Sequence, residues 1–500
     1  MAVRLSATTL GDIGGRVPLP GYDRGGLSVG IVHFGAGAFV RSHQAMYLDR
    51  LMSAGQAHDW AMCAVDVLEA DRPKRAAFRS QDGFYTLLVK QPDGTITPQV
   101  IGCVIEYLFG PDEPGQVLDR LADPGTRIVS LTITEGGYNL RHSTGEFEAA
   151  NPAVLRDLAP GATPSTVFGF IVAALRRRRA SGIPPFTVMS CDNIEGNGNV
   201  ARSVLGAFAD LSDPGLASWL REAVAFPNSM VDRITPVTTA ADADWLRTEL
   251  GIDDASPVVC EPYAQWVLED DFPAGRPRWQ DCGVQLVTDV RPYELMKLRL
   301  LNASHQALAY PAYLAGYRYV HEAAADPVFA DYLLGYMRRE ARPTLPDIPG
   351  VDLDDYIATL LSRFAHPAIR DTLARLCAGS SDKIPKWVLP VVRENLAAGR
   401  PVELAAAVIA SWARYAEGTD EAGRPIEVVD ALRPELSARA RRQHADPLSF
   451  VANEDVFGDL ARQPAFTQPY IHALDSFRRL GARQTLDAVS RSVEGRSVNR

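Results

Sequence analysis

Between residues 27 and 290 the chain alternates short apolar, β-rich runs with longer stretches whose apolar positions recur at helical spacing. Strands joined through crossover helices into a mostly parallel sheet give this pattern, so an α/β fold is predicted for this half. The clearest strands are expected at Leu27 to Phe34, Trp60 to Val67, Arg127 to Thr134 and Phe186 to Cys191. Each is largely apolar, as a strand covered on both faces must be. Residues Phe84 to Leu108 instead alternate about the turn-forming Gln91-Pro92-Asp93-Gly94, which predicts a hairpin inserted in the sheet domain. After Arg291-Pro292, Ala, Leu, Arg and Glu dominate at helical spacing to about residue 490, predicting a mainly α-helical second half. Pro343 to Pro349 and Gly418 to Pro425 read as loops between helices. Two domains follow, 1–290 and 291–500.

Composition narrows the classes of function. The chain has 500 residues, 46% hydrophobic and 22% charged. That is too long for one small core and too apolar for disorder. Acidic residues outnumber Lys plus Arg by 61 to 51, a formal charge of -10. Such a balance repels nucleic acid and anionic membranes, and neither is expected as a partner. The basic run Arg176 to Arg179 follows the apolar Phe168 to Leu175 and reads as a solvated helix end. The six cysteines, Cys63, Cys103, Cys191, Cys260, Cys282 and Cys377, form no CxxC pair and no Cys/His cluster of zinc-ligand spacing. No sequence-local metal site, reduced thiols and a cytoplasmic setting are expected. The first thirty residues lack a continuous apolar stretch, and nowhere do about 18 apolar residues run uninterrupted, so neither a signal peptide nor a membrane span is expected.

Behind the first strand stands Phe34-Gly35-Ala36-Gly37-Ala38-Phe39, followed by the helix-like Ser42 to Met52. Strand, glycine turn and helix arrive in the order that sets a pyrophosphate against helical N–H groups, a Rossmann-like arrangement. Two glycines are fewer than the full GxGxxG, and a tight turn with no ligand is the plain alternative. The second strand ends beside Asp66 and Asp71, either of which suits the adenosine ribose hydroxyls and favours NAD over NADP. Arg72 and Lys74 nearby would blunt that choice.

The segment from Tyr293 to Leu308 carries Glu294, Lys297, Asn302 and His305 among leucines and Met296. At about 100° per residue from Lys297, Glu294 falls near 60°, His305 near 80° and Asn302 near 140°. Four functional side chains share one arc of a helix apolar on nearly every side. Such surroundings would depress a lysine from about 10.4 toward about 7 to 8, where it takes a proton from an alcohol. The alternative is a helix whose polar groups simply face solvent at one edge. Ser190-Cys191-Asp192-Asn193 ends another strand, where open α/β sheets place ligand groups, although Asn193 by itself also suits a turn. Thr132 to Gly137 makes a similar strand exit.

Lys297-Leu-Arg-Leu-Leu-Asn302-Ala-Ser-His305, with Leu308-Ala-Tyr310 and Gly316-Tyr317, resembles the signature of the polyol-specific long-chain dehydrogenases. Val32 to Phe39, Arg41-Ser-His-Gln44, Thr132 to Tyr138 and Ser190 to Asn193 extend the likeness over both halves. The resemblance implies a zinc-independent enzyme with a coenzyme domain, a helical substrate domain and catalysis between them. It makes Lys297 the base, Asn193 and Asn302 an oxyanion hole, His305 an orienter of the substrate oxygen and Glu294 a relay for the proton. Asp232, Arg375 and Lys383 match positions that contact substrate hydroxyls. A polyol or ketose substrate, D-mannitol and D-fructose first, and a monomer are implied, with a dimer left open by the residues. Ala303, Gln306, Pro311-Ala312 and Ile194-Glu195 depart from the family pattern and leave the substrate open. Fructuronate reduction or D-arabinitol oxidation are the rival activities, and a non-catalytic NAD(H)-binding regulator the rival of another class.

Overall fold

The computed structural model describes residues 2–141 and 146–497. The chain divides into two compact units, Met1–Arg291 and Pro292–Arg500. In the first, strands β1 (Val29–Phe34), β2 (Ala61–Asp66), β3 (Tyr85–Lys90), β4 (Ile96–Ile101), β5 (Val104–Phe109), β6 (Ile128–Leu131) and β7 (Thr187–Ser190) are followed by β8 (Ser229–Asp232), β9 (Val258–Cys260), β10 (Gln265–Glu269) and β11 (Gln285–Val287). Its helices include α1 (Ala38–Ser42), α2 (Gln44–Ser53), α3 (Arg72–Ser80), α4 (Pro114–Ala122), α5 (Val167–Ala180) and α6 (Asn197–Ser212).

The main sheet is wholly parallel in the order β5-β2-β1-β6-β7, with Val32 opposite Cys63 on one side and Val129 on the other. This is the dinucleotide-fold order, whose crevice opens where the chain leaves β1 and β6 in opposite directions. Alternate residues of these strands feed two cores. Ile31, Met62 and Ala64 pack with Met46, Leu48 and Leu51 of α2, while Val32, Phe34, Cys63 and Val65 pack with Phe168, Phe170 and Ile171 of α5. Burial on both faces explains why these strands lack a polar alternation.

The predicted hairpin is present as antiparallel β3 and β4, joined through the turn after Lys90. Its expected last part, however, is a separate strand. Val104 to Leu108 lies in β5 and pairs with β2 in the main sheet, because the chain must return there to fill the edge position beside β2. Strand β3 also pairs with β9, and β10 joins β8 to β11 in a further three-stranded sheet. The basic run corrects a second expectation. Arg178 is 2% exposed, and its guanidinium donates to the carbonyls of Leu121, Thr126 and Pro184, gathering the ends of α4 and α5. Arg176, Arg177 and Arg179 are solvated as expected.

The second unit is helical. Helix α7 (Arg291–Met296) passes into a π-helical turn, Lys297–Asn302, and on into α8 (Ala303–Leu314). Then come α9 (Pro327–Tyr336), a second π turn (Met337–Ala341), α10 (Leu353–Phe364), α11 (Leu373–Cys377), α12 (Ser380–Trp387), α13 (Leu389–Ala397), α14 (Glu403–Ala416), α15 (Pro464–Leu480) and α16 (Ala482–Ser497). Helix α14 is buried from Leu404 to Ala413, apolar all round, and α8, α15 and α16 pack against it. Among the described residues no helix is long and apolar enough to cross a membrane.

Candidate active site

In the first unit the glycine turn sits at the mouth of the crevice. Gly35 follows β1 at φ +92, and a Cβ there would come within 2.1 Å of the Thr132 carbonyl oxygen, so only glycine lets the two strand exits pass. Buried His33 fastens the same place. Its Nε2 lies 3.2 Å from the Gly35 carbonyl and 2.8 Å from Thr132 Oγ1, and its Nδ1 is 2.7 Å from Ser130 Oγ. A carbonyl only accepts, so Nε2 carries the proton and Nδ1 accepts from the Ser130 hydroxyl. Burial pushes the imidazole pKa down to about 3, and the tether is neutral.

Gly37 is different in kind. Its φ of -71 is open to any residue, and the nearest atom to a Cβ there is Gly35 O at 4.0 Å. Among the described residues nothing demands glycine at this position, whereas close approach of a ligand would. Ala38 and Phe39 begin α1, and the Phe39 ring stacks on His43 at 5.1 Å, where the helix breaks before α2. At the carboxyl ends of β2, β5 and β6 lies a cleft of about 680 Å³ lined by Val67, Leu68, Pro111, Gly136, Asn139 and Thr166. A mostly apolar cleft at these strand ends, which also carries Glu69, Arg156 and Asp157, fits the adenosine part of a dinucleotide.

The two acids expected near the ribose occupy different places. Asp66, 2% exposed, accepts from Ala36 N at 3.0 Å and from Tyr107 OH at 2.8 Å. Asp71 is partly exposed at the start of α3, and Lys74 bridges both carboxylates, at 3.1 Å to Asp66 and 2.9 Å to Asp71.

Asn193 lies exposed in the bend after β7. Its neighbour Asp192 accepts from Thr134 N at 2.7 Å and Tyr138 OH at 2.8 Å, tying the β6 exit to the β7 exit. Burial raises the Asp192 pKa against these donors. Asn197 links this bend to β8, donating to the carbonyls of Asp192 and Ser229 at 3.0 and 2.8 Å. At the far end of β8 stands Asp232, 4% exposed.

In the second unit Glu294, Lys297, Asn302 and His305 are all buried, at 5, 9, 5 and 8% exposure. The π turn changes their placement. Closed by i to i+5 bonds, it advances about 82° per residue instead of about 100°, so Asn302 falls near 50° and His305 near -10° from Lys297. The arc holding all four shrinks from about 140° to about 70°. On the opposite side Arg299 forks onto Glu394 of α13 at 2.6 and 2.8 Å and so fixes the turn's orientation. Within this buried helix the Asn302 Nδ2 donor has no hydrogen-bond partner among the described residues.

Helices α11 and α12 pack against α8 and bring the remaining predicted residues near it. Gln306 Nε2 and Lys383 Nζ both donate to the Leu376 carbonyl, at 3.3 and 3.0 Å. Tyr310 OH reaches Ser380 Oγ at 2.8 Å. Arg375 is exposed but grips Asp371 through both arms, with Nε to Oδ1 at 2.7 Å. Burial pushes the Asp371 carboxyl up, yet Arg375 and then His305 outweigh it and hold it below the usual range. The His305 ring packs 4.4 Å from that of Phe364. Among the described residues no three His, Cys, Asp or Glu side chains converge as metal ligands would.

Two family descriptions cover nearly the whole chain, the mannitol dehydrogenase Rossmann domain over residues 29–281 and the mannitol dehydrogenase C-terminal domain over 289–478. The chain belongs to the mannitol dehydrogenase family. A mannitol 2-dehydrogenase of Phaeosphaeria nodorum is 44% identical over 474 residues, 94% of this chain and 83% of the relative. One of Aspergillus fumigatus is 44% identical over 480 residues, 95% of each. Pseudomonas fluorescens mannitol 2-dehydrogenase, solved in ternary complex with NAD and D-mannitol, superposes with a TM-score of 0.89 at 44% identity, covering 97% of this chain and 99% of that one. A substrate-free D-sorbitol dehydrogenase gives 0.89 at 39%, covering 96% and 100%. The resemblance read from the Lys297 to Tyr317 signature is thereby borne out. Sequence reasoning passed over Asn197 and gave His33 and Asp192 no role of their own, although both stood inside motifs already singled out, and it took Lys74 only as blunting the choice of coenzyme.

Proposed function

We propose that this chain is an NAD-dependent dehydrogenase interconverting D-mannitol and D-fructose. The observation that carries the chemistry is the π turn, which gathers Lys297, Asn302 and His305 on one buried arc, with the Asn302 amide donor lacking a hydrogen-bond partner among the described residues. A π turn interrupting an α-helix is a frequent mark of a functional site. The coenzyme and polyol follow from family membership and from the relative bound to NAD and D-mannitol at 44% identity.

In oxidation the neutral Lys297 amine takes the proton of the secondary hydroxyl. Asn302, with Asn193 as the second amide, donates to the alkoxide that develops. His305, steadied by Phe364, orients the same oxygen, and Glu294 passes the proton onward. When bound, NAD supplies the acceptor for the hydride leaving the carbinol carbon. Gly35, Gly37, Ala38 and Phe39 hold the pyrophosphate, while Phe34 and Ala36, expected there too, are buried behind the turn, and Asp71 accepts from the adenosine ribose. Asp232, Arg375 and Lys383 contact the substrate's other hydroxyls. Arg375 favours a neutral polyol over a uronate, because its guanidinium is already paired with Asp371. We read the enzyme as a monomer of the cytoplasm, where its six free thiols stay reduced.

Lys297→Ala should lower turnover about 100- to 10,000-fold while NADH affinity, read by fluorescence, stays within about threefold. Asn302→Ala should lose about 100- to 1,000-fold. Full activity of the lysine variant at neutral pH ends the assignment. Coenzyme absorbance over D-mannitol, D-sorbitol, D-arabinitol and D-fructuronate decides the substrate, and a large preference for the uronate overturns the polyol reading. Demonstrable NADH binding with no turnover across the panel would favour a regulator.

A further inference from the structure

Asp66 poses an electrostatic problem for the coenzyme reading, on which the following inference rests. Its carboxylate is almost wholly buried and accepts the amide of Ala36, a residue of the turn assigned to the pyrophosphate. An uncompensated buried anion at that distance would repel the phosphates through a low-dielectric medium. Tyr107 gives it a hydroxyl but no charge. The nearest compensating charge is Lys74, whose ammonium is 3.1 Å from Asp66 and at the same time 2.9 Å from Asp71, with buried Arg41 acting on Asp66 from farther off.

Lys74 is held there by its own helix. Phe78, one turn further along α3, stacks on Tyr107 of β5 at 4.9 Å and 18°. Arg72 forks onto Glu69 and reaches Asp112 at 2.8 Å, and Arg75 and Arg79 pair with Asp112 and Glu113. The other cations of α3 are thus committed to acids outside the turn, and Lys74 alone among them pairs with Asp66 and Asp71.

We propose that Lys74 sets both the affinity and the selectivity of the coenzyme site, by neutralising Asp66 beneath the glycine turn and by screening Asp71 at the ribose. One cation thereby serves two opposed ends. Toward the pyrophosphate it removes a repulsion shared by NAD and NADP. Toward the ribose it weakens the repulsion that Asp71 exerts on a 2′-phosphate, and so moderates the preference for NAD.

The two effects separate by charge arithmetic. In Lys74→Met, NADH affinity should fall about tenfold or more and NADPH affinity further still. Asp66→Asn keeps an acceptor for Ala36 N while removing the charge. The double variant Asp66→Asn/Lys74→Met should therefore regain NADH affinity to within about threefold of wild type, while NADPH remains weak because Asp71 is unscreened. Fluorescence titrations of NADH and NADPH against each variant, with circular dichroism to confirm folding, read this directly. A merely structural role for the lysine predicts no rescue when its partner is neutralised. Unchanged NADH affinity in Lys74→Met, or a double variant no better than the single, overturns the proposal while the dehydrogenase reading stands. Failure of the unaltered protein to bind either coenzyme removes both.

Discussion

Gly35 and Gly37 sit two residues apart and answer to different masters. Gly35 is required by the fold, since any side chain at its positive φ meets the Thr132 carbonyl. Gly37 faces no such obstacle. Gly35→Ala should therefore lower the melting temperature by several degrees and reduce soluble yield, whereas Gly37→Ala should leave melting within about one degree yet weaken NADH binding about tenfold or more, because the added methyl stands where the pyrophosphate approaches. Melting curves and titrations on the two variants test this, and a Gly37→Ala protein with normal NADH affinity would remove the turn from the coenzyme site. The motif was legible in the sequence, but the division of labour was not. It depends on the carbonyl of Thr132, nearly a hundred residues away. Distance in sequence likewise hid the different placements of Asp66 and Asp71, since the amide that engages Asp66 belongs to another strand exit.

Helical periodicity located the element bearing Lys297, Asn302 and His305, because a buried helix announces itself by leucine on nearly every side. It misplaced Asn302 within that element. A wheel drawn at a fixed angle cannot register a π turn, whose extra residue per turn leaves no compositional trace. The second π turn has its own consequence. It ends beside Glu340, 1% exposed, whose carboxylate accepts from Leu404 N and Ala405 N at 2.8 and 2.7 Å and so caps the central helix α14. Burial raises its pKa to about 8 against those two donors. A carboxyl whose pKa is higher folded than unfolded binds protons more tightly in the native state, so its contribution to stability is greatest in acid and is lost as pH rises from about 4.5 to about 8. The slope is about 1.4 kcal/mol per pH unit over that window. Melting temperatures of the protein and of Glu340→Gln between pH 5.5 and 8.5 should diverge in slope, the variant being flatter. Parallel curves would show that Glu340 does not titrate there.

Across the whole molecule, the switch from an α/β half to a helical half and the strands of the main sheet followed from patterning, since strands covered on both faces advertise themselves as short apolar runs. What patterning missed was the membership of β5, which reads as the tail of a hairpin and is the edge strand beside β2. Alternation reports which faces a strand buries and is silent about its partner. The tether at His33 bears on the molecule's encounter with its coenzyme. An imidazole without charge above about pH 3 clamps the exits of β1 and β6 to one another. The receptacle is thus preformed, and little ordering entropy is spent on docking. NADH association in a stopped-flow instrument should accordingly be one exponential whose rate rises linearly with concentration, and a plateau at high concentration would reveal a preceding rearrangement that the clamp ought to forbid.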